Sequence, residues 1–212
     1  MKITAIKKQK KYNRFNIFID GKFAFALSEA VLPQLNLYVD KEIGDKDLSE
    51  IKAKIFFFEA EEALINYLKY RPRTEKEIVS KLRQKGYQSS IISQLIEKYQ
   101  KIGYINDNDF AESYLLDLIS HHPQGKYLLS NKLKSKGISK EVIALLIEKY
   151  VTTEKETEMA EQALNQQKSR FKKYATKEIY KKALAFLQRK GFSYLIAKNS
   201  VDRFILAENF SE

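Results

Sequence analysis

The chain has 212 residues, 44% of them apolar and 12% aromatic, enough to bury a substantial core in one or two domains. It has no cysteine, which excludes disulfides, thiol catalysis and cysteine-based zinc sites. Its longest purely apolar run, Val142 to Ile147, is too short for a membrane span, and no apolar stretch follows the charged N-terminus as a secretory signal would need, so a cytoplasmic protein is expected.

The formal net charge of +11 is unevenly placed. Residues 1–22 carry seven Lys/Arg against one Asp, residues 69–101 nine against three acids, and residues 168–203 eleven against two. Acidic blocks lie between them at residues 40–62 and 107–122. Basic blocks of this size point to a polyanionic partner.

In chain order, residues 3–8 and 14–27 read as strands. Arg14 to Ile19 and Lys22 to Leu27 alternate around an Asp20-Gly21 hairpin turn, so Phe15, Ile17 and Ile19 should face a core while Lys7, Lys8, Lys10, Lys11 and Arg14 lie outside or in the loop. Ser28 is expected to cap a short helix that stops near Pro33, and Gly44 to mark a boundary. A long helix then runs from Asp47 to Pro72, with Leu48, Ile51, Ile55, Phe58, Leu64 and Leu68 at helical spacing. Its Phe56-Phe57-Phe58 triplet cannot face one side, so it should pack on two neighbours, with Glu61 and Glu62 outside.

Thr74-Glu-Lys-Glu77 is a capping box that starts a helix at residue 75. That helix should bury Ile78, Val79 and Leu82 and end at Gly86, and Ser90 should open the next. The same plan recurs. Lys81-Leu-Arg-Gln-Lys-Gly86 returns as Lys132-Leu-Lys-Ser-Lys-Gly137 and Phe186-Leu-Gln-Arg-Lys-Gly191, with the glycines 51 and 54 residues apart. A Leu precedes each glycine by four residues, a Lys by one, and an aromatic, Tyr99, Tyr150 or Phe204, follows by thirteen. Asn106 and Ser139 should cap helices in the second unit, and Thr153 begins the third.

The expected organisation is therefore mainly α: a small N-terminal antiparallel hairpin or sheet (1–46), then three tandem three-helix repeats (47–104, 105–152 and 153–212). Such small units should stack into an elongated, curved body.

No catalytic constellation stands out, and no cofactor is expected. His121-His122 read as loop residues, and Asp107-Asn-Asp109 lacks the glycine and closing glutamate of a calcium loop, so its acids read as first-turn residues. What recurs is cations at helix ends. The candidate binding set is Arg71, Arg73, Lys76, Lys81, Arg83 and Lys85 in the first unit and Lys126, Lys132, Lys134 and Lys136 in the second. Lys172, Lys173, Lys181, Lys182, Arg189 and Lys190, with Lys177 beside them, complete it in the third. Spread along stacked repeats, they suit phosphate contacts with little base readout.

The run Ala63-Leu-Ile-Asn-Tyr-Leu-Lys-Tyr-Arg-Pro-Arg-Thr-Glu-Lys-Glu-Ile78 is followed by Lys81 to Gly86, Gly103-Tyr-Ile-Asn-Asp-Asn-Asp-Phe-Ala111 and Lys132 to Ile138. Together these resemble RecX, the bacterial regulator of the RecA recombinase, over about residues 60–150. The third repeat is similar more loosely, and the hairpin resembles an extension carried by some members. Leu118 to His121 and Lys126 to Asn131 depart from the family's usual charged pattern. The resemblance implies a non-enzymatic monomer that binds RecA nucleoprotein filaments. It would limit their growth, dampen ATPase, strand-exchange and coprotease functions, and bind single- and double-stranded DNA weakly. On that basis Arg71 and Arg73 match the family's basic pair, and Lys81, Lys85, Lys132 and Lys136 its repeat cations. A helix-turn-helix nucleic-acid module acting without RecA is the alternative.

Overall fold

A computed structural model of the chain describes all residues except 11–12, 172 and 208–212, so Lys11 and Lys172 lie outside the described residues. The chain divides into two compact units. One comprises Met1–Pro72 and Ile78–Ile102; the other comprises Arg73–Glu77 and the chain from Gly103 onward.

In the first unit, β1 (Ile3–Lys8), β2 (Arg14–Ile19) and β3 (Lys22–Ser28) form an antiparallel sheet in that order. Asp20 and Gly21, with φ of 48° and 80°, make the two-residue turn. Positive φ at both positions matches the twist of the flanking strands, which is why Asp-Gly occurs there. Ile17 and Ile19 are buried beside Ile3 and Leu27 in one core, with Phe15 half-buried.

Ser28 ends β3 instead of capping a helix. The turn after it, Leu32–Leu35, is a 3-10 helix with Pro33 in its first turn. The proline starts this element rather than stopping it, because a first-turn residue has no intrahelical amide bond to lose.

Helix α1 (Asp45–Leu68) begins two residues before Asp47, where the Gly44 N–H donates to the Asp47 carboxylate at 3.0 Å. Ile51 and Ile55 join the sheet's core, and Arg14 reaches from β2 to Glu59 at 2.6 Å. Phe56 is exposed, while Phe57 and Phe58 are half-buried and meet edge to face. Further along, α1 packs on α3 (Ser89–Lys101), so the helix does serve two neighbours. Between them α2 (Glu75–Gln84) buries Ile78 and Leu82. Its capping box forms as expected: Glu77 N–H donates to the Thr74 hydroxyl at 3.2 Å, and Thr74 N–H to the Glu77 carboxylate at 3.4 Å.

The second unit holds α4 (Asp107–His121), α5 (Lys126–Ser135) and α6 (Lys140–Tyr150). It continues with α7 (Thr153–Asn165), the one-turn α8 (Lys168–Phe171), α9 (Thr176–Arg189) and α10 (Tyr194–Ala207). Asn106 and Ser139 cap α4 and α6 with their side chains. The N-cap of α7 is Thr152, one residue before the expected start. One core runs through this unit, from Ala111 and Leu115 through Leu129 and Leu133 to Leu187, Ala197 and Phe204. The chain is thus mainly helical, with three helices per repeat after a small N-terminal sheet, and the third repeat adds the unforeseen turn α8.

A polar latch closes each repeat internally. The Glu61 side chain is 13% exposed, not outside as its place on α1 suggests, and it accepts from Lys98 Nζ at 2.6 Å and the Tyr99 hydroxyl at 3.0 Å. Glu112 does the same for Lys149 Nζ at 2.9 Å and for the Tyr150 hydroxyl. Both glutamates stand 25 residues before their repeat glycine, so one contact occurs twice. In the third repeat Arg203 meets Glu161 at 3.2 Å, but Phe204 replaces the tyrosine and packs on Phe171 instead.

The latch has a pH signature. The Tyr150 hydroxyl, then Lys149, holds the Glu112 carboxyl below its ordinary 4.5. The Lys149 ammonium is pushed up to about 12 by Tyr150 and Glu112. A depressed carboxyl contributes stability that is present above 4.5 and lost as pH falls through its lower folded value. The raised lysine contributes below 10.5 and loses that contribution as pH rises through about 12. Tyr150→Phe should therefore move the Glu112 titration back toward 4.5, followed by carboxyl NMR. An unchanged Glu112 titration in that variant would show that the hydroxyl does not hold the proton off.

Candidate functional site

Each second helix ends in the same way. Gly86, Gly137 and Gly191 have φ of 87°, 95° and 85°, a region that costs an L side chain energy. The residue after each glycine donates its N–H back to the repeat leucine: Tyr87 to Leu82 at 3.2 Å, Ile138 to Leu133 at 3.3 Å, and Phe192 to Leu187 at 3.1 Å. The glycine amide bonds one residue further on, at 2.9 to 3.0 Å. This double bond is the Schellman stop, and it explains the Leu-x-x-Lys-Gly spacing. Lys85, Lys136 and Lys190 occupy the position before the glycine, where the carbonyl end of the helix favours a cation.

Their surroundings then differ. Lys85 is exposed, as is Arg83, and Lys81 on the same last turn of α2 lies 6.0 Å from the Tyr67 ring. Arg71 is exposed, with its guanidinium donating to the Pro72 carbonyl, and Arg73 is half-buried. In the second unit Lys136 is engaged internally, at 2.7 Å from Glu77 and over the Tyr114 ring. Lys76, although exposed, donates to the Ser135 carbonyl at 3.0 Å. Lys126 reaches Glu156 at 3.8 Å. Sequence reasoning placed these three on a binding surface; within the protein they hold helix ends together.

Two joints in the second unit show why. At the first turn of α2, the Thr74 hydroxyl donates to the Lys136 carbonyl at 2.8 Å and the Glu75 N–H to Asp107 at 2.8 Å. At the first turn of α5, the Gly125 N–H donates to the Lys190 carbonyl at 3.0 Å and the Lys126 N–H to Glu156 at 3.0 Å. Thr74 and Gly125 occupy equivalent positions, twelve residues before their repeat glycines, as do Lys136 and Lys190. At each joint a helix start thus meets a carbonyl of another helix end, through the Thr74 hydroxyl in one case and the Gly125 amide in the other, while the next amide meets a carboxylate from the first helix of the following repeat, so that a positive helix start lies at a negative helix end. Thr74 and Glu156 are buried in consequence. Burial pushes the Asp107 carboxyl up. Asp107 was read only as a first-turn acid, and Glu156 was missed; neither role is visible without the partner helix.

The remaining cations gather in two places. Lys132 is half-buried, and its ammonium is held below the usual range by burial and then by the like charge of Lys190. A cation destabilised in this way favours an incoming anion. Lys181, Lys182 and Arg189 on α9 border a pocket together with Arg170 of α8, a residue the repeat pattern did not single out. Lys134, Lys173 and Lys177 are exposed. Among the described residues no helix is long and apolar enough to cross a membrane, and no group of three or more His, Asp or Glu is placed to hold a metal ion.

Family models match in chain order. The regulatory protein RecX N-terminal domain covers residues 1–44, the first RecX three-helix domain residues 60–98, and the second residues 106–145. The regulatory protein RecX of Listeria monocytogenes serovar 1/2a is 35% identical over 199 residues, 93% of this chain and 74% of the relative. The chain belongs to the RecX family. The RecX of Bacillus subtilis strain 168 is 32% identical over 202 residues, covering 95% of this chain and 76% of its own. A crystal structure of regulatory protein RecX superposes with a TM-score of 0.72 at 28% identity, covering 95% of this chain and 98% of the other. RecX from Lactobacillus salivarius gives 0.63 at 27% identity, over 71% and 97%. The chain is therefore a RecX-type regulatory protein, from a family of regulators and not of enzymes. The sheet, expected as an extension present in some members, matches the family's own N-terminal domain.

Proposed function

We propose that this chain binds RecA filaments on DNA as a cytoplasmic monomer and lowers their ATPase, strand-exchange and coprotease activities without chemistry of its own. The observation that carries the reading is family membership joined to cations left uncompensated at the ends of second helices, above all Arg83 and Lys85 beside Lys81. Contacts of this kind track a phosphate backbone. If about six phosphates are neutralised, log K should fall against log salt with a slope of roughly −5.

The test is RecA's DNA-dependent ATPase and strand exchange on single-stranded DNA. Wild-type protein should inhibit both, and the triple variant Lys81→Glu, Arg83→Glu, Lys85→Glu should need roughly tenfold more protein for equal inhibition, with its circular dichroism unchanged. If RecA is unaffected by wild-type protein at filament-saturating amounts, the reading is wrong. A helix-turn-helix module acting alone fits less well. The α3 that would serve as its recognition helix has its two lysines paired, Lys98 with Glu61 and Lys101 with Glu97.

A further inference from the structure

The third repeat contains a feature the repeat pattern does not call for. The one-turn α8 and Tyr174 border the face of α9, leaving a pocket of about 310 Å³. Its apolar side is aromatic. Phe171 is buried and meets Phe186 edge to face, at a centroid distance of 6.2 Å, while Phe186 and Tyr174 are half-buried and line the pocket. Its rim is cationic: Arg170, Lys181, Lys182 and Arg189 line it, and among the described residues no carboxylate does. Lys182 lies 4.2 Å from the Tyr174 ring centroid and 3.3 Å from Glu178. The side chains of Arg170, Lys181 and Arg189 make no hydrogen bond or ion pair among the described residues. At the two joints, by contrast, Lys136 and Lys126 are paired with Glu77 and Glu156.

An acidic peptide would use the charges but leave the rings idle, and an apolar ligand would do the reverse. A nucleotide unit uses both, since every base has a flat face and every linkage carries a charge. The volume lies at the small end of ligand pockets, enough for one such unit and not for a duplex, whose bases are already stacked. We propose that this pocket receives one unit of single-stranded DNA, its base against Phe186 and Tyr174 and the flanking phosphates on Arg170, Lys181, Lys182 and Arg189. The proposal rests on the DNA-filament reading above and assigns that reading a specific contact.

The test uses the full chain with a fluorescein-labelled oligo-dT and an oligonucleotide carrying 2-aminopurine, a base whose fluorescence reports stacking. Arg170→Gln with Arg189→Gln alters only exposed side chains without partners, and should weaken binding about tenfold at low salt and reduce the salt slope by about 1 to 2. Phe186→Leu retains an apolar side chain and removes the ring. It should weaken binding several-fold, leave the salt slope unchanged and abolish the change in 2-aminopurine fluorescence on binding.

Wild-type binding without any 2-aminopurine response overturns the pocket, as does wild-type affinity in the double arginine variant. So does competition by free ATP or by duplex of equal length at concentrations no higher than the oligonucleotide's. The two readings fail separately. An oligonucleotide response with no effect on RecA sinks the filament reading alone, and RecA inhibition without a base response sinks the pocket alone.

Discussion

Gly125→Ala is expected to lower stability by about 3 kcal/mol or more in urea denaturation, although its backbone conformation would suit any residue. Its φ is −73°, so the cost is one of space. A Cβ there would lie 2.1 Å from the Gly191 carbonyl oxygen and 2.3 Å from the Phe192 nitrogen, both main-chain atoms that no rotamer change can move. Relief requires α5 to withdraw from the end of α9, which breaks the Gly125 to Lys190 and Tyr127 to Gly191 bonds and exposes buried polar groups. Gly86→Ala makes the comparison: its φ is 87°, but a Cβ there meets nothing within 4 Å, so only backbone strain of about 1 to 2 kcal/mol applies. Equal losses for the two variants would mean that the close approach of the helix ends has been misread.

Leu133→Ala should cost about 2 to 5 kcal/mol by leaving a cavity in the core of the second unit. Leu133 is fully buried and is also the acceptor of the Schellman bond from Ile138, so it links the helix stop to the packing beneath it. The bond uses the main chain and survives the substitution; the lost packing does not. At about 2 to 4 °C per kcal/mol for a chain of this size, the thermal midpoint should fall by roughly 4 to 20 °C. A drop of 1 °C or less would place Leu133 outside the core. Exchanging the neighbouring exposed Lys134 for Gln should leave the midpoint nearly unchanged.

Much of this fold was legible because its signals are local. The Asp20-Gly21 turn, the Thr74 box, the Asn106 and Ser139 caps and the three glycine stops each act within about six residues, so a single sequence displays them. Three tandem copies then made the plan unmistakable. Pro33 was misplaced because proline both ends helices and starts them, and only the following backbone distinguishes the two.

The latch was hidden for another reason. Glu61 and its partners Lys98 and Tyr99 are 37 and 38 residues apart, and the periodicity of α1 says nothing about what α3 brings over that surface. A trace was still present, since Glu112 stands at the same offset from its own glycine. The candidate cations were the hardest to read. Lys136 and Lys85 are equivalent in sequence, yet one is consumed by Glu77, from the helix start that lies against it, and the other is exposed.

The two joints also differ in what mutation can do to them. At Thr74 the contact is made by a side chain, so serine, asparagine or valine would each give a graded change in strength, and drift or selection can adjust it in small steps. At Gly125 the contact is main chain on main chain, and no substitution at that position varies it gently: glycine keeps it, and any Cβ forces the backbones apart. The first joint is therefore a place where relatives can diverge while remaining functional. The second should persist as glycine or change only together with its surroundings.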